Sequence, residues 1–247
     1  MNRDQSPKRS VETTARTNEK DPARQPRLYH GKRYVYFNSS SIYPFYLLNN
    51  FALAPVRLDD TALAVLQQVN PELRSWLTSD ERRRFPSIQH LWAALQATSV
   101  STFLKFIEGG QLASLTAEAF MPFVADETRA HNKVAYWGEK ANVGVLAKMA
   151  SNPKYQQALN MEMDYARAHL KLELERAVWL QLLRLKFEQN APHREVLRRT
   201  KDARLIEFER GAQRHGSHWG GVVKDDVLYG DNAIGNYLEE VRAQLCY

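Results

Sequence analysis

Ile88, Leu91, Trp92 and Leu95 recur at i, i+3, i+4 and i+7, which marks one apolar face of a helix within residues 84–98. Pro86 and Ser87 supply its start and N-cap, so this helix is expected to bury one side. Its first turn carries Gln89 and His90, where free backbone N–H groups and the helix dipole suit an anion or polar ligand. The plain alternative is a solvated or capping pair. The strongest helical period runs over residues 153–189, through Leu159, Met163, Ala166, Leu170, Leu174, Ala177, Val178, Leu182, Leu185 and Phe187. Lys171, Glu173, Glu175 and Arg176 fall on its other faces. A break near Asn160 is expected, and Asn190-Ala191-Pro192 ends the run.

Shorter patterns complete the outline. Residues 59–83 are amphipathic in part (Leu63, Val65, Leu66, Val69), and a short helix is expected over residues 112–124. Ile234, Leu238, Val241 and Leu245 predict a last helix with Asn232 as its N-cap. Tyr34-Val35-Tyr36-Phe37 and Leu205-Ile206-Glu207-Phe208 are strand-prone, the second entered through a turn at Lys201-Asp202. Asn49-Asn50 is a turn signal that presents amides and the Phe51 ring to a ligand, unless Phe51 is simply core. Gly144, Ala147 and Ala150 recur every three positions, which suits close approach to a neighbouring backbone as well as ordinary helix packing. The pattern predicts an α+β fold, mainly α-helical, with a few short strands in one compact domain over residues 28–247.

Composition trims the functional classes. The net charge of +6 is concentrated at the start, because residues 1–33 hold nine Lys/Arg against four Asp/Glu, a net +5 that leaves +1 for the rest. The folded part is therefore not by composition a binder of phosphate backbones. Residues 1–27 carry almost no large apolar side chain and are expected to be a disordered basic tail, a solvating leader or else an arm that tethers nucleic acid. No apolar run approaches 18 residues and the start lacks the apolar centre of a secretory signal, so an intracellular, cytoplasmic protein without a membrane partner is expected. Cys246 is the single cysteine. His215 and His218 form a weak metal pair with no local carboxylate, and no metal or cofactor is expected from it. The methionines and Trp179 of the long helix read as core.

Several segments in order resemble the NADAR family, named for NAD and ADP-ribose, whose bacterial members include an N-glycosidase acting on riboflavin-pathway intermediates. Asn49-Asn50-Phe51 resembles its Asn-Phe motif, and Gln89-His90 its Glu-His at a helix start. Residues 185–190, then Leu197 and Thr200, then Leu205-Ile206-Glu207 resemble its later run. Trp219-Gly220-Gly221 resembles its Trp-Gly, and Asn232-Ala233-Ile234-Gly235 with Leu238 and Arg242 its ending. The resemblance covers residues from about 34 to the end and is densest over 185–245. It implies a ribosyl-nucleotide or ADP-ribose-type ligand bound by Asn50, Phe51, His90, Lys186, Trp219, Gly220 and Asn232.

Three positions depart from that pattern. Gln89 stands where the family carries a carboxylate, Gly216 where an acidic residue is usual, and a tryptophan upstream of the Lys-Phe pair has no clear counterpart. Cleaving an N-glycosidic bond develops positive charge on the ribose, which a carboxylate stabilises while it activates water. Glutamine does neither. Glu207 or Glu209 substitutes only if folding brings it into the pocket. The expectations are thus an N-glycosidase-like hydrolase using Gln89 and Glu207, or a binding module or structural protein on the same fold.

Overall fold

The computed structural model describes residues 27–29, 31–38, 41, 44–113, 144, 147–148 and 152–246. The fold is α+β. Strands β1 (Arg27–Tyr29) and β2 (Lys32–Phe37) form a hairpin around Gly31, whose φ of 70° favours glycine. Helices α1 (Asp60–Leu66), α2 (Leu73–Trp76), α3 (Ile88–Ala94) and α4 (Val100–Leu104) follow, with the two-residue strands β3 (Val56–Arg57) and β4 (Arg84–Phe85) paired between them. The C-terminal half holds α5 (Leu172–Gln189), α6 (Ala191–Arg199), β5 (Arg204–Glu207), α7 (Ala212–His215), the hairpin β6 (Val222–Lys224) and β7 (Val227–Tyr229), and α8 (Ala233–Leu245). No helix among the described residues is long and apolar enough to cross a membrane.

The long helix is shorter than its sequence period suggests. Pro153–Tyr155 and Tyr165–Ala168 are separate 3-10 turns, and Asn160 takes a left-handed φ of 47°, so α5 starts only at Leu172. Met163 instead forms a bridge with Ala97 beside α3. Val178, Leu182, Leu183, Leu185 and Phe187 of α5 are fully buried, and the helix packs against α1, α3, α6 and α8. Each such side chain contributes roughly 1.5–3 kcal/mol when it leaves water, which makes α5 the axis of the core. Pro192 sits in the first turn of α6, where its missing N–H costs nothing.

Two chain ends meet across this axis. Strand β5 pairs parallel to β2, with Tyr34 opposite Arg204 and Phe37 opposite Glu207. Parallel pairing of strands so far apart in sequence is invisible to local pattern. Gly144 lies directly against the Phe51 backbone, since a Cβ there would stand 2.4 Å from the Phe51 carbonyl oxygen. The small residue thus serves a close backbone approach, one of the two readings of that segment. The expected helix after residue 113, Ala150, and the tail through residue 26 lie outside the described residues.

Candidate active site

A cavity of about 890 Å³ opens where the Asn49-Asn50 turn, α3, α5, the end of β5 and the Trp219 loop converge. Asn50, Phe51, Gln89, Trp219 and Glu207 line it, so five of the residues selected from sequence come together from four separate segments. Trp92, Gln96, Lys148, Glu175, Trp179 and His218 add to its wall. The ring centroids of Trp92 and Trp179 are 5.3 Å apart, those of Trp179 and Trp219 5.4 Å, and those of Trp219 and His218 4.8 Å. A continuous aromatic wall of this kind suits a flat heterocycle. Trp179 is therefore cavity wall as well as core.

The turn that carries Phe51 is fixed by its own amides. Asn49 Oδ1 accepts from the Phe51 N–H at 2.9 Å, and the Asn49 carbonyl accepts from the Ala52 N–H at 3.1 Å, closing an Asx turn. Beside it, Asn50 is 6% exposed and its Oδ1 has no hydrogen-bond partner among the described residues. The Gln89 amide is buried to the same degree, lines the cavity and also lacks a partner there. The unmet Asn50 oxygen is costly unless a ligand or water satisfies it, and the Gln89 amide stands open beside it.

Four sequence-selected residues support the cavity from behind and do not line it. His90 is fully buried, with Nδ1 2.8 Å from Ser87 Oγ and Nε2 3.2 Å from the Leu112 carbonyl oxygen. Burial pushes its pKa down to about 4, so it is a neutral core histidine. At the start of α3 the corner expected to take an anion is partly filled from within the chain. That helix is seven residues long and buried throughout, against the expected single buried face, and the Ser87 side chain already accepts from the His90 N–H. Lys186 is also fully buried and donates from Nζ to the Asn49 carbonyl at 2.7 Å, anchoring the turn. Desolvation lowers its pKa to about 7, opposed by the nearby Glu207 carboxylate.

Asn232 sits at the N-cap of α8 in a left-handed conformation, φ 54°, yet its side chain does not cap the helix. Its Oδ1 accepts from the Glu207 N–H at 3.0 Å and its Nδ2 donates to the Leu205 carbonyl at 2.8 Å, so it replaces a missing strand neighbour of β5. Gly220 packs where a Cβ would stand 2.5 Å from the Glu207 carbonyl oxygen. The Gly221 N–H donates to that same oxygen at 2.8 Å. Asn232 and Gly220 both pack against the Glu207 backbone, and neither is in the cavity lining. Arg242 is structural too, donating to Thr200 Oγ1 at 2.7 Å and to the Ala203 carbonyl at 2.9 Å.

Glu207 is consequently rigid at the end of β5. The residue is half-buried and lines the cavity. Desolvation pushes its pKa up to about 7, with Lys148 and Lys186 pulling it down and Glu209 pushing it up. Asn49 Nδ2 approaches Glu207 Oε1 at 3.4 Å. A carboxyl group poised near neutrality in a cavity is suited to take and return a proton. Gly216 is exposed at the end of α7 with φ 69°, a conformation that disfavours a side chain, and it does not line the cavity.

Sequence reasoning placed Glu175 on an outer face of its helix, and the structure overturns this. Glu175 is 8% exposed, and Nε2 of His218 lies 2.6 Å from its Oε1. The available signal was its spacing: Glu175 stands three and four residues before Val178 and Trp179, on the buried stripe of α5. His218 also places Nδ1 3.1 Å from Asp231 Oδ2, and these hydrogen bonds to carboxylates raise its pKa. His215 is exposed on α7, and the described residues contain no group of three or more His, Cys, Asp or Glu side chains placed to hold a metal ion. No family model matches this chain, and neither does any of the curated proteins or solved structures compared with it.

Proposed function

We propose that the cavity binds a ribosyl nucleotide of the ADP-ribose type and that Glu207 serves hydrolysis of its N-glycosidic bond, in the manner of a NADAR-like N-glycosidase. The observation that carries this reading is the Glu207 carboxyl in the cavity wall, near-neutral in pKa, beside an aromatic wall of three indoles. The heterocycle stacks on the indoles and Lys148 at the wall offers charge to a phosphate. Water attacks the anomeric carbon as the C–N bonding electrons leave with the base, and the Glu207 carboxylate takes a proton from that water. The departing base takes a proton from solvent, and Glu207 returns its own to solvent. The same carboxylate stabilises the cationic ribose, the task for which Gln89 has no charge.

The test is product analysis on ADP-ribose, NAD and phosphoribosyl amines, with binding measured in parallel. Glu207→Gln is expected to bind like the wild type and to lose about 10²–10³-fold in turnover, the usual effect of removing one such electrostatic contact. Gln89→Glu is expected to raise turnover, since it adds charge to the same wall at almost unchanged shape. Turnover that survives Glu207→Gln refutes the reading. The unpartnered Gln89 amide favours a second one, a binding module that retains the ligand and barely hydrolyses it; tight binding without base release by the wild type would establish that instead.

A further inference from the structure

Glu175 and its partners do nothing in the scheme above, yet they form a hydrogen-bonded polar group at the wall. Glu175 projects from the first turns of α5, one turn before Trp179, and both side chains line the cavity. Its Oε1 is held twice, by His218 Nε2 at 2.6 Å and by the Tyr237 hydroxyl, which donates at 3.1 Å. His218 is itself held on its far side by Asp231, and Trp219 beside it carries the aromatic wall onward. The Oε2 oxygen has no partner among the described residues. A carboxylate 8% exposed, with one oxygen locked by two donors and the other open to the cavity, presents a fixed acceptor to whatever occupies that space. The buried, unpartnered Asn50 Oδ1 at the wall of the same cavity points independently to a polar ligand.

We infer that Glu175, held by His218 and Tyr237, is a second ligand-binding carboxylate of the cavity and accepts hydrogen bonds from the vicinal hydroxyls of the ribose. The inference rests on the proposed ribosyl-nucleotide ligand and adds to it the group that distinguishes ribose from deoxyribose. A charged acceptor suits this role because each hydroxyl donates into it, and hydrogen bonds to an ionised group are about twice as strong as neutral ones. The chemical division is clear: Glu207 handles the proton of the attacking water, and Glu175 recognises the sugar. Trp179, one helical turn on, then places the base relative to that sugar. His218 and Tyr237 are positioning residues that act through Glu175.

The experiment compares binding of ADP-ribose with that of its analogue lacking the 2′ and 3′ hydroxyls of the adenosine ribose, the sugar that carries the base, using the full chain. Wild type is expected to prefer ADP-ribose by about 10- to 100-fold, the range for losing charge-assisted hydrogen bonds. Glu175→Ala should bring this ratio close to one, and Glu175→Gln, which keeps the shape and an acceptor for His218, should lower it about tenfold. Glu207→Gln should leave the ratio intact while turnover falls. Should Glu175→Ala fail to fold, the nearly isosteric Glu175→Gln decides. A wild-type ratio near one, or a ratio unchanged in a folded Glu175 variant, overturns the inference and leaves the hydrolase reading standing. Failure of the wild type to bind ADP-ribose at all overturns both.

Discussion

Replacing Asn232 tests whether this residue is a helix cap or a strand partner for the Glu207 segment. Loss of a cap alone by Asn→Gly costs only a few tenths of a kcal/mol. In this fold the fully buried Asn232 side chain satisfies the Glu207 N–H at 3.0 Å and the Leu205 carbonyl at 2.8 Å. Its loss leaves two backbone groups of β5 unmet, at about 1–3 kcal/mol each, so Asn232→Gly should destabilise the protein by about 2–6 kcal/mol. Asn232→Ala adds roughly 1 kcal/mol, because the φ of 54° penalises a Cβ that glycine lacks. For a chain of this length the Asn232→Gly loss corresponds to a fall in melting temperature of about 4–24 °C. Denaturant titration and thermal melts of both variants provide the measurement. An Asn232→Gly protein within about 0.5 kcal/mol of wild type would refute the strand-partner role.

Other outcomes follow from the same contacts. Glu207 must be ionised to accept a proton, so turnover should rise with pH through about 7, and a rate flat from pH 5 to 8 would contradict its role as base. The same raised pKa means that the folded state holds a proton the unfolded state has lost, so stability from this group is present below pH 4.5 and is lost as pH rises to about 7. Glu207→Gln should flatten that part of a stability profile. Lys186 has the opposite sign: the unfolded chain keeps a proton up to 10.5 that the folded chain releases near 7, so stability rises over that window and Lys186→Met should remove the rise. Gly220→Ala sets a Cβ 2.5 Å from the Glu207 carbonyl oxygen, and it should cost about 1–3 kcal/mol and reduce turnover through displacement of Glu207. Denaturation paired with activity assays would expose any uncoupling of the two.

Local pattern carried much of the architecture. The α+β class, the helix at Ile88 with its Ser87 cap, the last helix, the strand ending at Glu207 and the Asn49-Asn50 turn all follow from periodicity and turn chemistry, because each depends on near neighbours. The limits of the long helix did not follow. The apolar period continues through residues 153–171, but those side chains pack from short turns, where tertiary contacts outweigh propensity.

The site divides along the same line. Residue types such as Asn50, Phe51, Gln89, Trp219 and Glu207 were visible in the sequence, and folding gathers them in one cavity. Which of the remaining polar residues face that cavity was decided only in three dimensions. His90 and Asn232 have the side chains of ligand contacts, but burial and backbone hydrogen bonding turn them into supports. Glu175 has the side chain of a solvated helix face, and the approach of His218 and Tyr237 from distant segments makes it part of the wall. The sequence by itself determined the elements and the chemical groups they carry, since these depend on local backbone preference and residue type. The tertiary structure alone decided which groups meet water, ligand or one another, because desolvation and hydrogen-bond partnership arise from chain segments far apart in sequence.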